Sequence, residues 1–335
     1  MRPVPRVRTL ALATCLVALA SMSTLAQSPP AAPSAEPSPT TQTAVLEQPA
    51  VLDYDLGTVT IEQPSQARLN PDLVEMPVHL QGIVAVPEGE GPFPVALLMH
   101  GSYPFCTAMA EGDDPPPYPC PSEDDLRQYQ GFDELAAALA ADGYLAVVPD
   151  MAPEYAAGYG SAPFGERAIQ IADATLEALT QGPDALADVA GKADLDRLVL
   201  AGHSRGGPLV VRYATDAAAK YEPRALALLT PAYLAPKSVI PKTTPAMLVI
   251  SQCDGDVGTD LPLKYYKKQL PPLRPAPTLI YTIPGGTHNA FSTKLEPERG
   301  PQCKARDVIG PEEQRAIAAI LLPQFFDLAL SIEGR

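Results

Sequence analysis

Leu198-Val199-Leu200-Ala201-Gly202-His203-Ser204-Arg205-Gly206-Gly207-Pro208 runs from an apolar stretch through a G-x-S-x-G turn into residues 208–219, which carry apolar side chains at helical spacing. The bare pattern says little, because with Gly and Ser each near 7% of residues a chain this long meets it by chance about one time in ten. Its context is more informative. Strand, sharp turn and helix is the setting in which a serine is held at the top of a sheet in a strained conformation. Neighbours without side chains are then required, and Gly202 and Gly206 supply them. Ser204 is accordingly the candidate nucleophile.

Working outward, Pro94-Val95-Ala96-Leu97-Leu98-Met99-His100 is apolar throughout and stops at Gly101, as a strand covered on both faces does. Val78-His79-Leu80-Gln81-Gly82-Ile83-Val84-Ala85-Val86 alternates as an earlier strand. The spacing predicts a helix over 132–141, ended by Gly143, then a strand over 144–148 and a helix over 165–180. Strands follow over 195–200, 225–229, 247–251 and 279–283, with a helix over 208–219 and a last one from Pro311 to about residue 330. This alternation predicts an α/β class: a doubly wound, mostly parallel sheet flanked by helices. Residues 230–246 are too few for a helical lid domain, so an open cleft is expected.

A hydroxyl nucleophile needs a base, and in a strand–elbow–helix arrangement the base comes last in the chain. His288, in Gly285-Gly286-Thr287-His288-Asn289, is the only histidine after Ser204. The acid that orients it is expected between the two. Asp216 and Glu222 fall on or near the helix after the elbow, leaving Asp254, Asp256 and Asp260. Asp254, third after Ser251, is preferred, with Asp256 as the fallback. The oxyanion of a tetrahedral intermediate needs two backbone donors, here the N–H of Arg205 and that of Ser102 or Tyr103. His79, His100 and His203 precede Ser204 and are read as structural. A metal site at Asp254-Gly255-Asp256 is not expected, because Thr259 stands where the EF-hand spacing needs glycine. No cofactor is called for.

Arg2, Arg6 and Arg8, the apolar run 10–20 and Thr24-Leu25-Ala26 read as an export signal over residues 1–26, with Cys15 inside its apolar part. That run is shorter than the roughly 20 residues of a membrane-spanning helix, so no stable span is expected after cleavage. Residues 27–50 are a Pro/Ala/Ser/Thr linker, residues 51–331 one catalytic domain, and 332–335 a tail to which no function is assigned. Hydrophobic residues make up 46% of the chain and aromatics 6%, which suits an aliphatic core. Four cysteines remain outside the signal, pointing to two disulfides and a secreted or periplasmic protein. Three connectivities are possible; Cys106–Cys120 and Cys253–Cys303 are preferred, the first bracketing one loop and the second tying two neighbouring loops. Loss of three arginines with the signal takes the net charge from −15 to −18 (21 basic against 39 acidic residues). Nucleic acid and anionic lipid are therefore excluded as partners, and neutral or cationic substrates fit better. Oligomeric state is not legible.

From about residue 75 to 330 the chain resembles the α/β-hydrolases, on residues 94–101, the elbow 202–206, Asp254 and His288. Within them it is similar to secreted bacterial hydrolases with a Cys-Asp-Gly-Asp-Val acid loop (253–257) and a His-Asn-x-Phe base loop (288–291), neighbours of dienelactone-hydrolase-like and polyester-degrading enzymes. The resemblance implies a serine hydrolase, foremost a carboxylic ester hydrolase working through an acyl-enzyme on small or polymeric esters. Two other readings are a prolyl-oligopeptidase-like peptidase, disfavoured because no propeller precedes the domain, and a non-catalytic binding member of the fold. One departure is the Asp/Pro-rich segment 107–130, which a Cys106–Cys120 bridge would pin close to the acyl pocket.

Overall fold

Strands that are apolar on both faces need cover on both, and the chain supplies it by alternating strand with helix. In a computed structural model the described residues are 49–110, 118–156, 158–160, 162–233 and 239–333. The expected signal with Cys15, all of the linker before Pro49, residues 111–117 of the acidic loop, and Gly334-Arg335 lie outside them. The elements are β1 (Val51–Glu62), β2 (Glu75–Ala85), β3 (Phe93–Met99), α1 (Thr107–Ala110), α2 (Asp133–Ala141), β4 (Leu145–Pro149), α3 (Ala152–Tyr155) and α4 (Glu166–Gln181). Then come β5 (Ala193–His203), α5 (Gly206–Tyr213), β6 (Ala225–Leu229), β7 (Ala246–Ser251), α6 (Asp260–Gln269), β8 (Thr278–Ile283) and α7 (Pro311–Glu333).

The strands form an eight-stranded sheet in the order β1-β2-β4-β3-β5-β6-β7-β8. From β4 to β8 each neighbouring pair is parallel, whereas β1-β2 and β2-β4 are antiparallel. Every residue of β6 and β7 is buried, which is why they read as unbroken apolar runs, whereas the edge strand β8 exposes Thr278, Leu279 and Thr282. On one face α2 and α7 pack Leu135, Leu139, Leu322, Phe325 and Phe326 into a core. On the other, α4 and α5 pack Ile169, Leu176, Leu209 and Val211. Helices on both faces make the sheet doubly wound, and all the parallel strands end at one rim, where such folds place their sites.

Besides the one-turn helices α1 and α3, which were not expected, three elements differ from expectation. β1 was not expected: most of its residues are partly or fully exposed, and only Tyr54 and Ile61 are buried, so it looks like a loop until it is paired with β2. The helix expected over 208–219 ends at Tyr213 instead. Thr215 Oγ1 donates back to Val211 O (2.9 Å) and Asp216 Oδ1 takes the Ala218 N–H (2.9 Å), turning the chain although alanines follow. α6 was not expected either. α7 is long and apolar enough to cross a membrane by length and composition. Ala318, Leu322, Phe325, Phe326 and Ala329 are nevertheless at most 3% exposed against the sheet, as in a core helix.

Candidate active site

β5 hands the chain to α5 through a turn in which Ser204 takes φ 55°, the left-handed region that costs a residue with a Cβ about 1–2 kcal/mol. Surrounding bonds enforce it. The Ser204 N–H donates to Leu229 O (3.1 Å), and Ser204 O accepts from Gly207 N (3.1 Å) and Ala232 N (2.9 Å). A Cβ on Gly202 would lie 2.1 Å from Gly206 O, and one on Gly206 would lie 1.9 Å from Met99 O. Both glycines are therefore required where the elbow packs on itself and on the end of β3. Ser204 is 4% exposed.

Asp254 follows β7 and His288 follows β8, both essentially buried. His288 Nδ1 lies 2.7 Å from Asp254 Oδ2. An ionised carboxylate only accepts, so Nδ1 carries the proton and the lone pair is on Nε2. Nε2 is buried and has no hydrogen-bond partner among the described residues. Asp254 also accepts from Thr230 Oγ1 (2.6 Å, to Oδ2) and from the N–H groups of Asp256 and Gly258 (3.0 Å each, to Oδ1). Burial alone would push the Asp254 carboxyl up; the hydrogen bond and charge of His288, and the bonds from Thr230 and Gly258, outweigh it and hold the carboxyl below the usual carboxylate range. Asp256, the fallback acid, lies on the other side of the ring: its side chain is 53% exposed, with Oδ2 3.4 Å from His288 Nε2. Asp260 opens α6.

His203, next to Ser204, is more closely built into the candidate site than its chain position suggested. Its Nε2 lies 2.8 Å from His288 O, and a carbonyl only accepts, so Nε2 donates. Nδ1 then accepts the hydroxyl proton of Tyr103. The two imidazoles stand 4.9 Å apart, which seats His288 beside the elbow. Burial first, and the neighbouring His288 second, push the His203 imidazole down to about 3 from its ordinary 6.5. Between those pH values the unfolded chain binds a proton that the folded one refuses, so stability should rise with pH across that window, by up to about 1.4 kcal/mol per pH unit. Melting curves from about pH 4 to about pH 7 should show this slope flattened in His203→Gln, whose amide keeps the donor to His288 O; equal slopes in the two proteins would refute it.

The loop after β3 is set by His100. Its Nε2 accepts the Met151 N–H (2.8 Å), so Nδ1 donates to Gly101 O (2.8 Å). Because the peptide is planar and trans, fixing the Gly101 carbonyl turns the Ser102 N–H the opposite way. The N–H groups of Ser102, Tyr103 and Arg205, the expected oxyanion donors, make no hydrogen bond to another described residue. Tyr155 Oη donates to His100 O (3.1 Å). Its segment is fastened by Arg167, which donates to the carbonyls of Pro153, Ala156, Tyr159 and Gly160 and to Gln63 Oε1.

Sequence reasoning missed Thr230 and Gln314. Thr230 holds φ 38°, unusual for a β-branched residue, and its hydroxyl donates to Asp254. Buried Gln314, from α7, takes the Thr287 N–H on Oε1 and gives its amide N–H to Thr287 O, both at 2.8 Å, and so clamps the peptide before His288. Neither residue type carries a local signature of such a role. The disulfides join Cys106 to Cys120 and Cys253 to Cys303. Cys253 adjoins Asp254, and the segment it is stapled to lies across the acid loop: Gly300 N donates to Cys253 O (2.8 Å) and Gln302 Nε2 to Asp254 O (3.1 Å). Cavities of about 500, 470 and 450 Å³ lie elsewhere, with neither Ser204 nor His288 in their walls.

No protein-family model matches the sequence, and no curated protein matches it. Among solved structures, a sugar hydrolase from Lactococcus lactis is 13% identical, aligns over 82% of this chain and 99% of its own, and gives a TM-score of 0.50. An α/β hydrolase from a Medee basin deep-sea metagenome is 16% identical (81% and 99% covered, TM-score 0.47). A thermophilic esterase from Thermogutta terrifontis is 12% identical (81% and 93% covered, TM-score 0.45). The first of these likenesses speaks for the fold alone, and with the strand order β1-β2-β4-β3-β5-β6-β7-β8 the chain has the α/β-hydrolase fold, with no large lid domain among the described residues.

Proposed function

We propose that this chain, an α/β-hydrolase by fold, is an exported serine hydrolase that cleaves carboxylic esters through an acyl-enzyme. The observation that carries the proposal is the state of His288: Nδ1 is committed to Asp254, while Nε2 is buried, unpartnered and beside the elbow that strains Ser204. Ser204 Oγ attacks the ester carbonyl as Nε2 takes its proton. The oxyanion accepts from the N–H of Arg205 and from that of Ser102 or Tyr103, donors with no competing partner to give up. His288 then protonates the departing alcohol, and water attacks the acyl-enzyme by the same steps in reverse. Asp254 keeps the imidazole in the one tautomer that can do this and stabilises its charged form. The short connection between β6 and β7 favours substrates that approach in the open. Residues 1–26 as an export signal, and two disulfides, favour a secreted or periplasmic site of action.

The test is hydrolysis of p-nitrophenyl acetate, butyrate and octanoate by the protein from Gln27 onward, with labelling by a fluorophosphonate. Turnover of at least one ester and stoichiometric labelling are expected. Labelling without ester turnover, but with cleavage of aminoacyl-prolyl amides, would make it a peptidase; neither labelling nor turnover would make it a non-catalytic member of the fold.

A further inference from the structure

Asp256 is in an unusual position for a residue that does not orient the base. Its carboxylate oxygen lies 3.4 Å from His288 Nε2, the nitrogen that faces the reaction, yet the side chain is 53% exposed. No lysine or arginine among the described residues pairs with it. It is not free to swing away at the backbone, because its N–H donates to Asp254 Oδ1 (3.0 Å), and a Cβ on the preceding Gly255 would meet Arg299 C and Glu298 O at 2.8 Å. Its charge also reaches the oxyanion side, where it adds to burial in pushing the Tyr103 phenol up. A half-exposed carboxylate on a held backbone therefore stands beside a fully buried, unpartnered ring nitrogen.

The direction of the chemistry says which part of a substrate meets it. In acylation Nε2 returns the Ser204 proton to the ester oxygen of the alcohol, so that oxygen comes within about 3 Å of Nε2. The atoms that continue from it must pass the Asp256 carboxylate. The acyl half is bonded to Ser204 and points elsewhere.

We propose that Asp256 selects the alcohol half of the substrate by charge: esters whose alcohol carries a cationic group a few bonds from the ester oxygen are preferred over uncharged isosteres, and those over anionic ones. This rests on Ser204 and His288 being nucleophile and base. For a cation about 6 Å from the carboxylate in a half-wet mouth, with an effective dielectric of about 40 to 80, the preference is about three- to tenfold in kcat/KM. It should shrink toward one at about 1 M salt, where the Debye length is about 3 Å.

The experiment compares kcat/KM for three acetate esters, those of choline, of 3,3-dimethylbutanol, which is choline's uncharged isostere, and of 3-hydroxypropanoate. They are measured with the exported protein and with Asp256→Asn at low and at high salt, with p-nitrophenyl acetate alongside. The expected order is choline, dimethylbutyl, hydroxypropanoate at low salt, compressed by high salt and by the Asn variant. Equal ratios in the two proteins overturn the inference, and so does an Asn variant that slows all three esters alike, since that marks a residue that only shapes the loop. Ester turnover in which charge makes no difference removes the inference and leaves the hydrolase standing. No turnover of any ester, p-nitrophenyl acetate included, removes both.

Discussion

Alanine at Ser204 is expected to lower kcat for p-nitrophenyl esters by about 10⁴-fold or more, down to the rate that binding and the oxyanion donors sustain without a nucleophile. The substitution suits a clean test because the backbone features that hold the elbow do not involve the side chain. The bonds from Ser204 N to Leu229 O and from Gly207 and Ala232 to Ser204 O remain available to alanine. Alanine at φ 55° meets the same strain that serine does. The melting temperature should thus move by a few degrees at most while fluorophosphonate labelling disappears. A variant that keeps a tenth of the wild-type rate would remove Ser204 from the mechanism.

Asn at position 254 should be nearly as damaging, about 10⁴-fold in kcat, for a reason that can be traced bond by bond. The Asp254 carboxylate accepts on both oxygens: two backbone N–H groups on Oδ1, and Thr230 Oγ1 and His288 Nδ1 on Oδ2. An amide has one donor end. Turned toward Oδ1's place, it faces two N–H donors; turned toward Oδ2's, it faces a hydroxyl and an imidazole N–H, and drives the ring to the tautomer with its proton on Nε2, which cannot take one from Ser204. The first orientation sets donor against donor in a buried site, where an unmet polar group costs about 1–3 kcal/mol, and the second is relieved only by the inactive tautomer. The same change at Asp256 supplies the comparison. If Asp256→Asn costs more in kcat than Asp254→Asn, the orienting acid is Asp256.

Much of this architecture was legible because it follows from local rules. A buried parallel strand has to be apolar on both faces, so β3, β6 and β7 are visible as runs, and the elbow is visible because strand, G-x-S-x-G and helix are contiguous. β1 was hidden for the opposite reason. Its alternation runs through Leu52-Asp53-Tyr54-Asp55-Leu56 but loses phase at Gly57-Thr58, where the register with β2 shifts, before Val59 and Ile61 resume it. The overlong reading of α5 took alanines at 217–219 for helix where an aspartate turn intervenes. Within the site, residues that do chemistry have few possible identities, which brought Ser204, His288 and Asp254 forward as candidates. Residues that hold them do not. Thr230 reaches Asp254 across 24 positions and Gln314 clamps Thr287, before His288, across 27, and no periodicity in either segment marks them. The acceptor role of the His203 ring, and the Tyr103 hydroxyl that meets it, likewise depend on loops far apart in sequence.

The Cys253–Cys303 bridge makes residues 253–303 a covalent ring that carries Asp254 and His288 and leaves Ser204 outside. Part of that ring, Lys294 and residues 296–299, is exposed. Such a stretch is open to a protease. One cut opens the ring without dividing the molecule: the piece bearing Asp254 and His288 stays joined through sulfur to the piece bearing α7 and its Gln314 clamp. The molecule can be nicked there once and still keep Ser204, Asp254, His288 and Gln314 in two pieces held together by one covalent bond.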